Sequence, residues 1–266
     1  MPRKIALPSV TPIDVSRLKT YPLKTRSSKV KTSDFSIPWR RGGSFAEFLS
    51  GLPDILAVKT LRSLATAIAQ ARRKGRPVIV GMGAHPTKVG LNPVLIDLMQ
   101  RDIVTAMAFN GAVVIHDFEL ALMGHTSEEV ENEIDSGRFG MAEETGCLIN
   151  QAIVQGVQKG FGIGEAVGQY ILGRRKEFPN WKTSLLATGV KQNIPMTVHV
   201  AMGTDITHMH PTADGAAIGE GSLRDFRKLT AVVSKMEGGV YLNCLLYTSD
   251  DADDTPCVDL GGRRII

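Results

Sequence analysis

The chain has 266 residues, 43% of them hydrophobic and 22% charged, enough for one large α/β domain with a real core. No apolar span of about twenty residues and no signal-peptide pattern occurs, so the expectation is a soluble, cytoplasmic protein without membrane contact. Three cysteines give neither a disulfide framework nor a paired-cysteine metal site, and the net charge is +4.

Residues 1–43 hold ten Lys and Arg against Asp14 and Asp34. Aromatics are sparse there and the basic residues follow no helical stripe, which argues against nucleic-acid binding. Pro2, Pro8, Pro12, Pro22 and Pro38 break any long helix. An extended basic arm over 1–43, lying on an acidic neighbouring surface, is therefore expected. Regular structure should begin near Ser44. Over Asp54–Lys74 the apolar residues Ile55, Val58, Leu61, Ala65, Ile68 and Ala69 share one helical face. Arg72, Arg73 and Lys74 suit its negative end, and Gly75 closes it.

Val78–Val80 is a β-branched run bounded by Pro77 and Gly81, which predicts a strand. Gly81 and Gly83 allow a sharp turn. Asn92 is placed to cap a helix with Pro93 at its first position, and apolar residues recur at helical spacing from Val94 to Met99. Ile103–Phe109 reads as a second buried strand, followed by a second glycine turn and a helix. A strand–helix–strand of this length closes as a right-handed parallel unit, so both strands end on one crevice.

Thr126 and Glu129 have capping-box spacing, predicting a short polar helix that ends near Gly137. Glu143–Lys159 and Glu165–Phe178 read as helices separated by KGFGIG, the second stopped by Pro179. Ile194–Val200 is the next strand. Ser222 and Asp225 are read as the start of a last helix toward Lys235, and Gly238–Leu242 as the start of another strand. The pattern predicts an α/β, Rossmann-like fold, with a mostly parallel sheet and helices on both faces.

The end reads differently. Cys244–Ser249 is CLLYTS and Val258–Ile266 is VDLGGRRII, both matching a translated sequencing adapter of the transposase-end kind; Asp251 departs from it, the adapter giving Ala. Residues 244–266 are accordingly expected to be non-native, with the native chain continuing past Asn243.

Three constellations bear on chemistry. Gly81–Gly90, GMGAHPTKVG, lacks the third glycine of a dinucleotide fingerprint, yet a glycine turn running into a helix start favours an anion within reach of Thr87 or Lys88; a bare turn is the alternative. Asn110, Gly111 and Ala112 permit close approach of a cofactor. After them, His116 and Asp117 would position a proton or a ribose hydroxyl, or simply make a helix-start hydrogen bond. Between His199 and Asp214 lie His199, Asp205, His208, His210 and Asp214. A divalent metal site is one reading of that loop, although no HExxH or paired-cysteine pattern accompanies it. The others are a polar pocket in which Asp205 and Asp214 neutralise a cationic substrate while a histidine moves protons, and an ordered polar loop.

GLNPVLIDLMQRDIVTAMAFNGAVVIHDFELALMG, SGRFGMAEETG and IPMTVHVAMGTD together resemble deoxyhypusine synthase and its bacterial relatives. The likeness runs from about Phe45 to Asn243 and is most specific in NGAVVIHD. The resemblance implies an NAD-binding domain over 44–243 that oxidises a polyamine such as spermidine. The aminobutyl group would pass through an enzyme-lysine imine to an amine acceptor or a protein lysine. In the family that lysine belongs to the translation factor carrying hypusine, and the enzyme is a homotetramer. It further implies that Gly83, Thr87, Lys88, Gly90, Asn110, Gly111, Ala112 and Asp117 meet NAD. Catalysis would fall to His116, Asp117 and Asp205, and the polyamine to Asp205; His208, His210 and Asp214 join it as substrate-binding residues on the chemistry of their loop rather than on the resemblance, and no metal is expected. The imine-forming lysine lies beyond Asn243, so Lys191, Lys228 and Lys235 are read as surface lysines. The histidines after Asp205 depart from the family pattern, leaving a free amine open as acceptor. The alternatives are a non-catalytic NAD- or polyamine-binding module and a metal-assisted hydrolase using His199, His208 and His210.

Overall fold

A computed structural model describes residues 11–129 and 136–244. The chain divides into two compact units, Met1–Arg62 and Ser63–Ile266. In the first, most of the described residues before Ser44 lack regular structure apart from single 3-10 turns at Leu23–Thr25 and Thr32–Asp34. Helix α1, Phe45–Gly51, starts on a capping box: the Ser44 hydroxyl accepts from the Glu47 N–H while Glu47 accepts from the Ser44 N–H at 2.6 Å. Its last carbonyls are met by Arg62, whose Nη2 donates to Leu49, Ser50 and Leu52. Helix α2 runs from Leu56 to Arg73, with Gly75 just beyond it at φ +64°.

Among the described residues the second unit is built on four strands, β1 Val78–Met82, β2 Ala106–Phe109, β3 Met196–Val198 and β4 Val240–Cys244. They form one sheet in the order β3-β2-β1-β4, and every pairing is parallel. All of β1, β2 and β3 is buried, as a sheet covered on both faces requires. The two faces differ. Val80, Met82, Met107, Phe109, Met196 and Val198 point into the main core, while Ile79, Gly81, Ala106, Ala108 and Thr197 give the other face a mostly small-residue surface.

Helices connect the strands: α3 His85–Lys88, α4 Asn92–Gln100, α5 Gly111–Met123, α6 Glu143–Gln158, α7 Ile163–Gly173, α8 Leu185–Lys191 and α9 Gly215–Val233. The core joins the large-residue face of the sheet to α5, α6 and α7, with Phe118, Tyr170 and Phe178 as an aromatic cluster; the Phe118 and Phe178 rings meet edge-on at 5.0 Å. No helix among the described residues is long and apolar enough to cross a membrane.

Several expected boundaries shift. Gly81 lies inside β1, so the turn begins only at Gly83. Asn92 does not cap α4 but is its first residue, with a buried side chain that bonds across to other elements. The strand expected from Ile103 begins at Ala106, because Asp102 takes a left-handed backbone conformation at φ +56°. Helix α7 ends at Gly173, ahead of Pro179, and α9 starts at Gly215 rather than near Ser222, on an Asp214 cap. Helix α8 was not expected at all. The short helix expected after Thr126 falls largely on 130–135, outside the described residues. The same holds for the expected tail except Cys244, which closes β4 opposite Met82.

Candidate functional site

Because every strand is parallel, all four end on one rim. Met82, Phe109 and Val198 stand in register there, followed by Gly83, Asn110 and His199. Backbone bonds tie these exits together: the His199 N–H donates to Phe109 O at 2.8 Å and the Gly83 N–H to Cys244 O at 2.9 Å. Strand order reverses between β1 and β4. Such a switch point splays the connections to opposite sides and opens a crevice at the carboxyl ends of the strands.

The second glycine turn is the start of α5. Asn110 has an extended backbone and its Oδ1 accepts from the Val113 N–H at 3.3 Å. Gly111 is buried against the loop after β3: a Cβ built on it would lie 2.0 Å from Asp205 Oδ2. The Asp205 carboxylate thus packs on the positive end of a thirteen-residue helix, in space that a Cβ at position 111 would take from it. Gly83 and Thr87 are buried in the first turn, and the Thr87 hydroxyl has no hydrogen-bond partner there. Lys88 and Gly90 lie farther along the same loop and are exposed.

Asp117 has a different place from the one expected. It is completely buried in the middle of α5, away from the crevice. Its Oδ1 accepts from the Leu185 N–H at 2.7 Å and from Asn92 Nδ2 at 3.2 Å; its Oδ2 accepts from Ser184 Oγ at 2.6 Å and from the Leu186 N–H at 3.2 Å. It therefore holds the first turn of α8 and has no lone pair directed at a ligand. Burial pushes its carboxyl up to about 6 despite these donors. His116, one residue earlier, is half-buried and bonds through Nδ1 to Thr126 Oγ1 at 2.7 Å, in a chain that continues to Glu119 and Thr145.

The loop after β3 divides its polar residues. His208 Nδ1 accepts from the Gly203 N–H at 3.1 Å and its Nε2 lies 3.8 Å from Asp205 Oδ2, so this ring braces the turn that presents Asp205. His210 bonds to Thr212 and its ring lies on Gly146 of α6, where a Cβ would be 2.4 Å away. Asp214 caps α9, Oδ1 accepting from the N–H groups of Ala216 and Ala217. His210 and Asp214 are thus drawn into local structure, the usual competition between short polar side chains and ligands for nearby backbone. Among the described residues no three His, Cys, Asp or Glu side chains converge to hold a metal ion. His199, His208 and His210 face separate partners.

Two residues gain importance. His199 sits directly at the rim, its Nε2 3.0 Å from Thr197 Oγ1, and burial lowers its pKa, favouring the neutral ring. Asp225 lies fully buried on α9, and its Oδ2 accepts from Val198 N at 2.9 Å and Gly164 N at 3.0 Å. Ser222 accepts from Val200 N at 3.2 Å. Read in the sequence as a helix start, Ser222 and Asp225 instead clamp the end of β3 from within α9. Their spacing of three, which puts both on one helical face, was the signal available.

The donor set fits NAD at one end only. Asp205 over Gly111 suits hydroxyls or a cationic group and opposes a phosphate at that helix start. A pyrophosphate is better matched by the first turn, where the Thr87 hydroxyl lacks a partner.

No protein-family model matches the chain, and no curated protein matches it. Among solved structures it is similar to ArgZ, an arginine dihydrolase from the ornithine–ammonia cycle in cyanobacteria, at 18% identity and a TM-score of 0.43. That alignment covers 68% of this chain but spans only 23% of ArgZ. It is also similar to a protein described as a "putative deoxyhypusine synthase" from Entamoeba histolytica, at 13% identity and a TM-score of 0.45, covering 75% of this chain and 77% of that one.

Proposed function

We propose that the chain binds NAD along the carboxyl rim of its sheet and uses it to oxidise a polyamine such as spermidine, transferring the aminobutyl group to an amine. The observation that carries this reading is the packing of the Asp205 carboxylate on Gly111 at a rim shared with Gly83 and His199. The resemblance of NGAVVIHD and MTVHVAMGTD to deoxyhypusine synthase supplies the reaction class. NAD, when bound, takes up and returns the hydride. The chain's residues do the rest. Asp205 pairs with an ammonium group or a ribose hydroxyl. His199, whose pKa burial lowers, accepts the proton that the donor amine must lose before its neighbouring carbon can give up hydride. Asp117 acts only by fixing α8 against α5.

The test is calorimetric NAD binding by the full chain, together with NAD-dependent release of diaminopropane from spermidine by a version that also carries the imine-forming lysine the resemblance implies. Saturable NAD binding that weakens at least about tenfold in Asp205→Asn, with release of diaminopropane, is expected. A second reading, a binding module without turnover, is favoured by the engagement of Asp117, His210 and Asp214 in structural bonds; NAD binding without diaminopropane selects it. Absence of NAD binding overturns both.

A further inference from the structure

The opposite rim of the sheet holds a cavity of about 630 Å³. Three strand entries form its floor, at Pro77 before β1, Thr105 before β2 and Pro195 before β3. Pro77 and Pro195 have no N–H, and Thr105 is engaged with the backbone of Val78, so the floor offers little to hydrogen-bond. Val190, Ile194, Met196 and Val232 add apolar wall. The volume falls within the ~300–1,000 Å³ of small-molecule sites.

The charged lining is unequal. Arg72, Lys228 and Lys235 face Glu165 as the single acid. The ends of α2, α8 and α9 also lie here, and helix ends of this polarity disfavour anions. Arg72 answers part of that field, donating to the carbonyls of Asp102 at 2.6 Å and Arg76 at 2.9 Å and pairing with the Asp102 carboxylate. Lys228 is paired with Glu165, which leaves that acid neutralised, and Lys235 stands exposed past the end of α9. A polycation would meet no uncompensated carboxylate in this lining.

We propose that this cavity is a second binding site, for a small organic anion with an apolar body, its charged end held by Lys235 beside the Lys228–Glu165 pair. It lies on the other rim from Gly111 and Asp205, so it stands whether or not the rim binds NAD. The probe is anilinonaphthalene sulfonate, an aromatic body with one anionic group, titrated into the full chain and followed by fluorescence. Ala231→Trp fills the cavity from α9, and Lys235→Glu reverses the charge at an exposed position that folding does not depend on. Saturable binding of one probe per chain is expected, lost in Ala231→Trp and weakened about tenfold in Lys235→Glu, with far-UV circular dichroism unchanged. Saturable binding that both variants leave intact, or no saturable binding by the parent chain, overturns the proposal.

Discussion

Replacing Asp117 by Ala removes the acceptor for four buried donors at once. Asn92 Nδ2 keeps its bond to Thr183 O, but the Ser184 O–H and the N–H groups of Leu185 and Leu186 lose the Asp117 carboxylate in a dry interior, since the bond from Ala187 N uses only a lone pair of Ser184 Oγ. Each such buried orphan costs roughly 1–3 kcal/mol, and the space left by the carboxylate adds to it. Releasing a desolvated charge offsets part, so the variant should lose about 3 kcal/mol of the ~5–15 kcal/mol typical of a folded domain. Urea unfolding followed by circular dichroism measures this directly. A loss below about 1 kcal/mol would refute the assignment of Asp117 as the anchor of α8. The conservative Asp117→Asn tests the sign of the charge term. Burial raises the native carboxyl to about 6, above its ordinary value of 3.8, so the native state holds the proton more tightly. That contribution is fully present below about pH 4 and is lost as pH rises through about 6; the Asn variant should lack this dependence.

Asp225 should behave likewise over a wider window, since burial pushes it up to about 7: the parent should lose stability relative to Asp225→Asn between about pH 4 and about pH 7, by the difference in urea midpoints. Gly164→Ala would bring a methyl group to 2.1 Å from the Met196 carbonyl oxygen, and a backbone neighbour cannot swing aside; a loss of about 3 kcal/mol in the same assay is expected. In Gly111→Ala the three atoms nearest the new methyl all belong to the Asp205 carboxylate, the end of a side chain rather than backbone. Stability should change by less than about 1 kcal/mol, while NAD affinity falls about tenfold by calorimetry.

The parts legible in the sequence were those whose signals are local. Val78–Val80 between a proline and a glycine placed β1, and Glu143–Lys159 placed α6 to within one residue. The proximity of the two glycine turns followed from parallel strand geometry. Helix α8 escaped because nearly all of it is buried, which erases amphipathic spacing, and because its start depends on Asp117, far back in the sequence. Helix α9 opens on GAAIGEGS, a poor helix former by composition, and is held by the Asp214 cap and burial of Ala217, Ile218 and Gly221. The polar loop after β3 was the most misleading stretch: spacing in the chain cannot tell a histidine that braces a turn from one that faces a ligand. Nor could it show that β4 lies beside β1, the feature that locates the crevice.

That last pairing bears on biosynthesis. β1 gains its second neighbour from a segment about 160 positions later, at Val240–Cys244. During synthesis one edge of the central strand, apolar and rich in unmet amide groups, must wait until nearly all the described residues have left the ribosome. Chaperone dependence of the nascent chain should be concentrated in that interval and should end when β4 is supplied.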